Sequence, residues 1–251
     1  MRALIPRTLA VAMLAVVTAL VGVPPAGAVA DGVRARDGQF PFAVKLTMTG
    51  VRLNGTTYNS ACSGALVSMS WVITAGHCFH DASGKRVSGP VPYSTTATLG
   101  TANSTEPGAQ SISIDTVLQS GSTDISLAHL SSPATVGKPI ALNSSRPKTG
   151  RILTLAGWGA LSSTNPQPQD QLWYGTVKVR SVTSTTITVV GVWPSADTSA
   201  CLYDSGAPYF TTGSTPLLYS VESNGPNCPH ATPETTARVD GIAGWIRSII
   251  G

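Results

Sequence analysis

Apolar and polar positions interleave over five segments rich in β-branched residues: Phe42–Met48, Ser111–Leu118, Ile152–Ala156, Thr176–Val182 and Thr185–Val192. Several of them alternate with a period of two. That period places one face of an extended strand in a core and the other in water. Between the segments lie runs of Gly, Pro, Asn and Ser, which favour turns. One helical pattern stands out, at the end of the chain. There Ile242, Trp245, Ile246 and Ile249 share a face at i, i+3, i+4, i+7 spacing, behind Asp240 as an N-cap. No strand-helix-strand rhythm and no repeat of fixed period is present. The pattern predicts an all-β domain closed by a terminal helix.

The amino-terminal pattern is of another kind. Arg2 and Arg7 precede an uncharged run from Leu9 to Val23, and Ala26-Gly27-Ala28 supplies a small-residue cleavage site. This arrangement predicts a signal peptide over residues 1–28, with a mature domain over 29–251, and a secreted, extracellular protein. The run is shorter than the roughly 20 apolar residues of a spanning helix, so no membrane association is expected after signal removal. A second cleavage site, Ala28-Val29-Ala30, would leave Asp31 first.

Of the 251 residues, 42% are apolar and 11% charged, which suits a buried core and excludes a disordered chain. There are 16 basic residues against 12 acidic ones. Without Arg2 and Arg7 the net charge is +2, too weak to argue for nucleic acid. Four cysteines, an even number, fit an oxidising compartment and allow three pairings.

Three local motifs carry chemistry. Trp71-Val72-Ile73-Thr74 delivers Ala75-Gly76-His77-Cys78, with Cys62 16 positions before Cys78. Asp124 enters the apolar stretch Ile125-Ser126-Leu127. Ser205 lies in a glycine-bearing turn within Cys201-Leu202-Tyr203-Asp204-Ser205-Gly206. A hydroxyl nucleophile, an imidazole base and an orienting carboxylate are the parts needed for nucleophilic acyl transfer. Asp115, in an alternating strand, competes with Asp124 for the third role. His80, His129 and His230 read as ordinary packed or surface histidines.

In these motifs and their order the chain resembles the trypsin/chymotrypsin family of serine endopeptidases, especially its compact bacterial secreted members. Gln39-Phe40-Pro41-Phe42, Gly157-Trp158-Gly159 and Ala237-Arg238-Val239 add to the match, which runs from about Val29 to Gly251. The resemblance implies two antiparallel six-stranded β-barrels with the site in the cleft between them. It implies His77, Asp124 and Ser205 as catalytic triad and the N–H groups of Tyr203 and Ser205 as oxyanion hole. Tyr203 stands where the family has glycine. The resemblance also implies disulfides Cys62–Cys78 and Cys201–Cys228, and Ser199 as the floor of a specificity pocket, with Glu234 at a pocket-lining position. Further, it implies an ion pair between a freed Val29 α-ammonium and Asp204. No metal or organic cofactor is required, and the expected form is a monomer acting on protein or peptide substrate. The edge stretch Ser220–Gly225 has no clear family counterpart.

Two other function classes fit the same residues. Tyr203 and the altered edge stretch fit a protease-fold binding or interaction protein with weak or no catalysis. The same nucleophile would also serve an esterase or acyl transferase.

Overall fold

A computed structural model describes residues 29–251; the expected signal segment, residues 1–28, lies outside them. In chain order the strands are β1 (Val33–Arg34), β2 (Ala43–Leu53), β3 (Thr56–Ser68), β4 (Trp71–Ala75), β5 (Gly89–Pro90), β6 (Ser94–Leu99), β7 (Gln110–Gln119) and β8 (Ile125–Leu130). There follow β9 (Ala141–Leu142), β10 (Ile152–Gly157), β11 (Trp173–Val182), β12 (Thr186–Trp193), β13 (Pro208–Thr211), β14 (Leu217–Asn224) and β15 (Glu234–Arg238). Helix α1 (Ala243–Ile250) ends the chain.

Antiparallel pairing in the order β7-β6-β2-β3-β4-β8 returns to β7, so six strands close into a barrel with β5 added outside. The order β11-β10-β13-β14-β15-β12 likewise returns to β11. Closure removes the open edges that a flat sheet would leave to aggregate. The two barrels are all-β and six-stranded, as the resemblance implies. Each of the five β-branched segments lies almost wholly within a strand. In β11, for example, Trp173, Gly175, Val177 and Val179 are buried at every second position. Removing a Val, Leu or Ile side chain from water contributes about 2 kcal/mol.

The larger apolar cluster fills the first barrel and continues across the junction through Trp158, Phe210, Leu218 and Val221. There Phe40, Phe42 and Phe210 meet edge to face or tilted, with centroids 4.8–6.2 Å apart. A second cluster, including Leu153, Val177, Val189 and Tyr209, fills the other barrel and takes in Val29.

The terminal helix starts later than its apolar spacing predicts. Asp240–Ile242 forms a 3-10 turn and the α-helix begins at Ala243, with no side-chain cap. Asp240 does not cap because its carboxylate is held by the Arg238 guanidinium, with Nε 3.0 Å from Oδ1. A bidentate ion pair outcompetes a capping bond to a backbone N–H.

Candidate active site

The strand register brings base and carboxylate together. Ala75, the last residue of β4, pairs with Ile125, the first of β8. His77 in the following 3-10 turn and Asp124 just before β8 therefore emerge side by side. The His77 N–H donates to Asp124 Oδ1 at 2.9 Å, and His77 Nδ1 lies 2.8 Å from Asp124 Oδ2. Ser205 comes from the other barrel, in the turn before β13, and places its Oγ 2.8 Å from His77 Nε2. Asp115 is not part of this group. It pairs with His129 at 2.9 Å on the first barrel.

The nucleophile turn is fastened to the first barrel from below. Ser63 on β3 donates its N–H to Ser205 O at 2.9 Å and its hydroxyl to Tyr203 O at 3.3 Å. Cys62, its neighbour, is bonded to Cys78, and Cys201 is bonded to Cys228. Both pairings implied by the resemblance are present. The side chain of Ser223 on β14 donates to Asp124 Oδ2 at 2.7 Å. The edge stretch thus supplies a third donor to the carboxylate, which the sequence pattern did not reveal. Burial alone would raise Asp124, but its bonds to His77 and Ser223 and the nearby imidazole outweigh that and hold it at about 2.

Tyr203 adopts φ +74°, the left-handed conformation that glycine enters freely. The turn geometry is therefore kept despite the larger residue, at a cost of roughly 1–2 kcal/mol. Among the described residues no protein acceptor takes the N–H of Tyr203 or Ser205.

Asp204, next in the turn, is fully buried. Its oxygens accept from Gly159 N–H at 2.8 Å and Cys201 N–H at 3.0 Å, and the Val29 backbone N–H also bonds to it. Desolvation dominates these bonds and pushes its carboxyl up to about 7. The Gly157-Trp158-Gly159 motif finds its reason here. A Cβ on Gly159 would fall 2.4 Å from the Asp204 carboxylate, so only glycine permits the approach.

The cavity beside Ser205, about 360 Å³, is lined by Ala200, Leu202, Glu222, Asn224 and Asn227, among others. The two expected pocket residues are not on its wall. Ser199 is buried behind it, its hydroxyl accepting from His230 N–H at 3.2 Å and its own N–H pairing with Ala30. Glu234, 2% exposed, points inward but is taken up by Ala200 N–H at 2.9 Å and Tyr209 OH at 2.7 Å. The same phenol lies 2.7 Å from Glu222, which is the acid that reaches the wall. One hydroxyl proton cannot serve two carboxylates, so one acid must itself hold a proton and donate to the phenol oxygen. Burial raises both acids, Glu222 well above its ordinary value and Glu234 to about 7. Of the two acids the family resemblance pointed to Glu234 only; the pairing across the barrel is a product of topology.

A family profile described as Trypsin matches residues 29–246. This chain belongs to the trypsin family. Among curated trypsin-family relatives, mouse serine protease 56 is 27% identical over 88% of the chain. Mouse kallikrein 1-related peptidase b26 is 29% identical over 66% of this chain and 70% of its own length. Drosophila trypsin delta is 23% identical over 88% of both chains. The match spans 38% of the length of serine protease 56. A solved structure of mouse neuropsin, described as a serine protease expressed in the limbic system, shares the trypsin-family fold with a TM-score of 0.69. It is 22% identical, over 88% of this chain and 99% of that one.

Proposed function

We propose that the protein is a serine endopeptidase of compact, secreted type, cleaving peptide bonds through an acyl-enzyme. The observation that carries this reading is the unbroken relay from Ser205 Oγ through His77 to Asp124, two contacts of 2.8 Å each. His77 takes the Ser205 proton as the oxygen attacks a carbonyl and returns it to the leaving amine. Asp124 holds the ring with Nδ1–H towards itself, leaving the Nε2 lone pair for the hydroxyl. The N–H groups of Tyr203 and Ser205 take the oxyanion, each such donor worth about 3 kcal/mol.

Export is supported by the amino-terminal charge and apolar pattern and by the use of all four cysteines in disulfides. The relatives named above come from mouse and fly, so kinship with the bacterial members rests on the sequence resemblance alone. No helix among the described residues is long and apolar enough to cross a membrane.

Glu222 at the cavity wall favours a cationic substrate side chain over an apolar one. Burial favours the protonated form of this acid, and an entering Lys or Arg side chain supplies the counter-charge that lets it ionise. The test is reaction of the mature protein with an active-site phosphonate, followed by matched Arg, Lys, Phe and Leu substrates. We expect single-site labelling that Ser205→Ala abolishes, turnover lower by at least 10⁴-fold in that variant, and Arg or Lys ranked first. Labelling without turnover would instead favour a binding protein that has kept the fold.

A further inference from the structure

Behind Asp124 lies a side chain that neither the motifs nor the relay accounts for. The 3-10 turn bearing His77 runs into a tight excursion over Phe79–Val87, closed by Val87 N–H donating to Phe79 O at 3.2 Å and by a bridge between His80 and Arg86. Its tip is held by Asp81, whose Oδ1 accepts from Ser83 N–H at 2.9 Å and Lys85 N–H at 3.1 Å. This closure sends Arg86 back over the turn. Its Nη1 donates to Thr123 O at 2.9 Å and stands 3.5 Å from Asp124 Oδ1.

Room for the guanidinium comes from Gly76. A Cβ there would lie 2.6 Å from Arg86 Nη1, 2.7 Å from Gln119 Oε1 and 2.9 Å from Asp124 Oδ1. Any larger residue would displace the arginine or the carboxylate. Gln119 walls the corner from β7, donating to Gly76 O at 2.9 Å.

We propose that Arg86 is a positioning residue for the reaction, anchoring Asp124 through the Thr123–Asp124 corner and offsetting part of the negative charge that His77 faces. This deepens the triad reading and rests on it. The groups facing Asp124 are His77 from the 3-10 turn, Arg86 from the excursion, the neutral Gln119 from β7 and Ser223 from β14, with Glu222 a more distant acid on the same strand. Arg86 is thus the one fixed cation beside the carboxylate among the described residues. Without it, the full charge of Asp124 would act on the imidazolium, and the ring would hold its proton to higher pH.

The experiment is an NMR titration of the His77 ring in ¹⁵N-histidine-labelled mature protein, assigned with the His77→Gln variant, for the wild type, Arg86→Met and Arg86→Lys. Arg86 is 36% exposed and its excursion is closed by Asp81, so the substitutions remove no element of the fold. We expect the titration midpoint to rise by about half a pH unit in Arg86→Met and to return at least halfway in Arg86→Lys. The acid limb of phosphonate inactivation should move with it. Coincident midpoints in the wild type and Arg86→Met would overturn the proposal, whatever happens to the rate. So would an Arg86→Lys midpoint equal to that of Arg86→Met, because the charge would then be irrelevant. The titration needs no turnover. The expected differences among the three proteins, in a wild type that never reacts with the phosphonate, would refute the protease reading and leave the role of Arg86 beside Asp124 intact.

Discussion

Tyr203 shows how a residue can contradict its local backbone and still be tolerated. Its φ of +74° is a glycine conformation, and the hydrogen bonds on either side impose it: Ser63 Oγ donates to the Tyr203 carbonyl, and Asp204 N–H donates to Cys201 O. The backbone cost is separable from the side chain by comparing two variants. Tyr203→Ala and Tyr203→Gly both remove the ring, but only glycine relieves the left-handed strain. Tyr203→Gly should therefore be more stable than Tyr203→Ala by about 1 kcal/mol in urea denaturation, and both should keep the oxyanion turn and measurable turnover. Equal stability of the two would mean that the turn relaxes when the tyrosine is lost.

Among the elements, β14 and β15 carry the feature with the clearest pH signature. Glu222 and Glu234 face each other across Tyr209, and both are raised by burial. An acid whose folded value lies above its unfolded one binds more protons when folded. Its contribution is complete below the ordinary carboxylate range, 4.5 for Glu234, and is lost as pH climbs towards about 7. Thermal melts should accordingly show stability falling between those limits, and Glu234→Gln should remove part of the fall, on the order of 2 kcal/mol. A wild-type profile flat over that interval would contradict the buried proton.

The same strands mark the limit of what the sequence makes legible. Strands with alternating Val and Ile, such as β7 and β11, are visible in the pattern because each turns one apolar face inward. β3 and β15 are not, since Ser63, Gly64, Thr236 and Ala237 are small or polar yet buried, and their place is set by partners distant in the chain. The triad motifs were legible because each is local. Ser223, Glu222 and Arg86 were not, for each acquires its role by facing a residue on another element.

At the scale of the whole molecule, the amino terminus of the domain sits where an activating charge would be needed. Val29 is 0% exposed, and its N–H already meets the buried Asp204. Cleavage before Val29 would replace that amide by an ammonium and give Asp204 a counter-ion. If the proposed export and processing hold, N-terminal sequencing of the processed protein should read Val29-Ala30-Asp31-Gly32, and a form carrying one additional residue before Val29 should turn over at least tenfold more slowly. Full activity in a chain that begins at Asp31 would exclude the pair.

Each disulfide lies within one barrel, so no covalent cross-link spans the cleft. The chain compensates by crossing over at its beginning. Val29 is packed in the second barrel's core and β1 pairs with β11, before β2 enters the first barrel. At the far end, Ile246 of α1 is buried in the cluster that fills the first barrel, after the second has closed. The two halves are clasped by each other's tails, like hands with the outer fingers interlocked. A nick in the segment between β9 and β10 should therefore leave the halves tied together. Separation would require both tails to peel away, so the catalytic cleft and the fold as a whole are lost in one event.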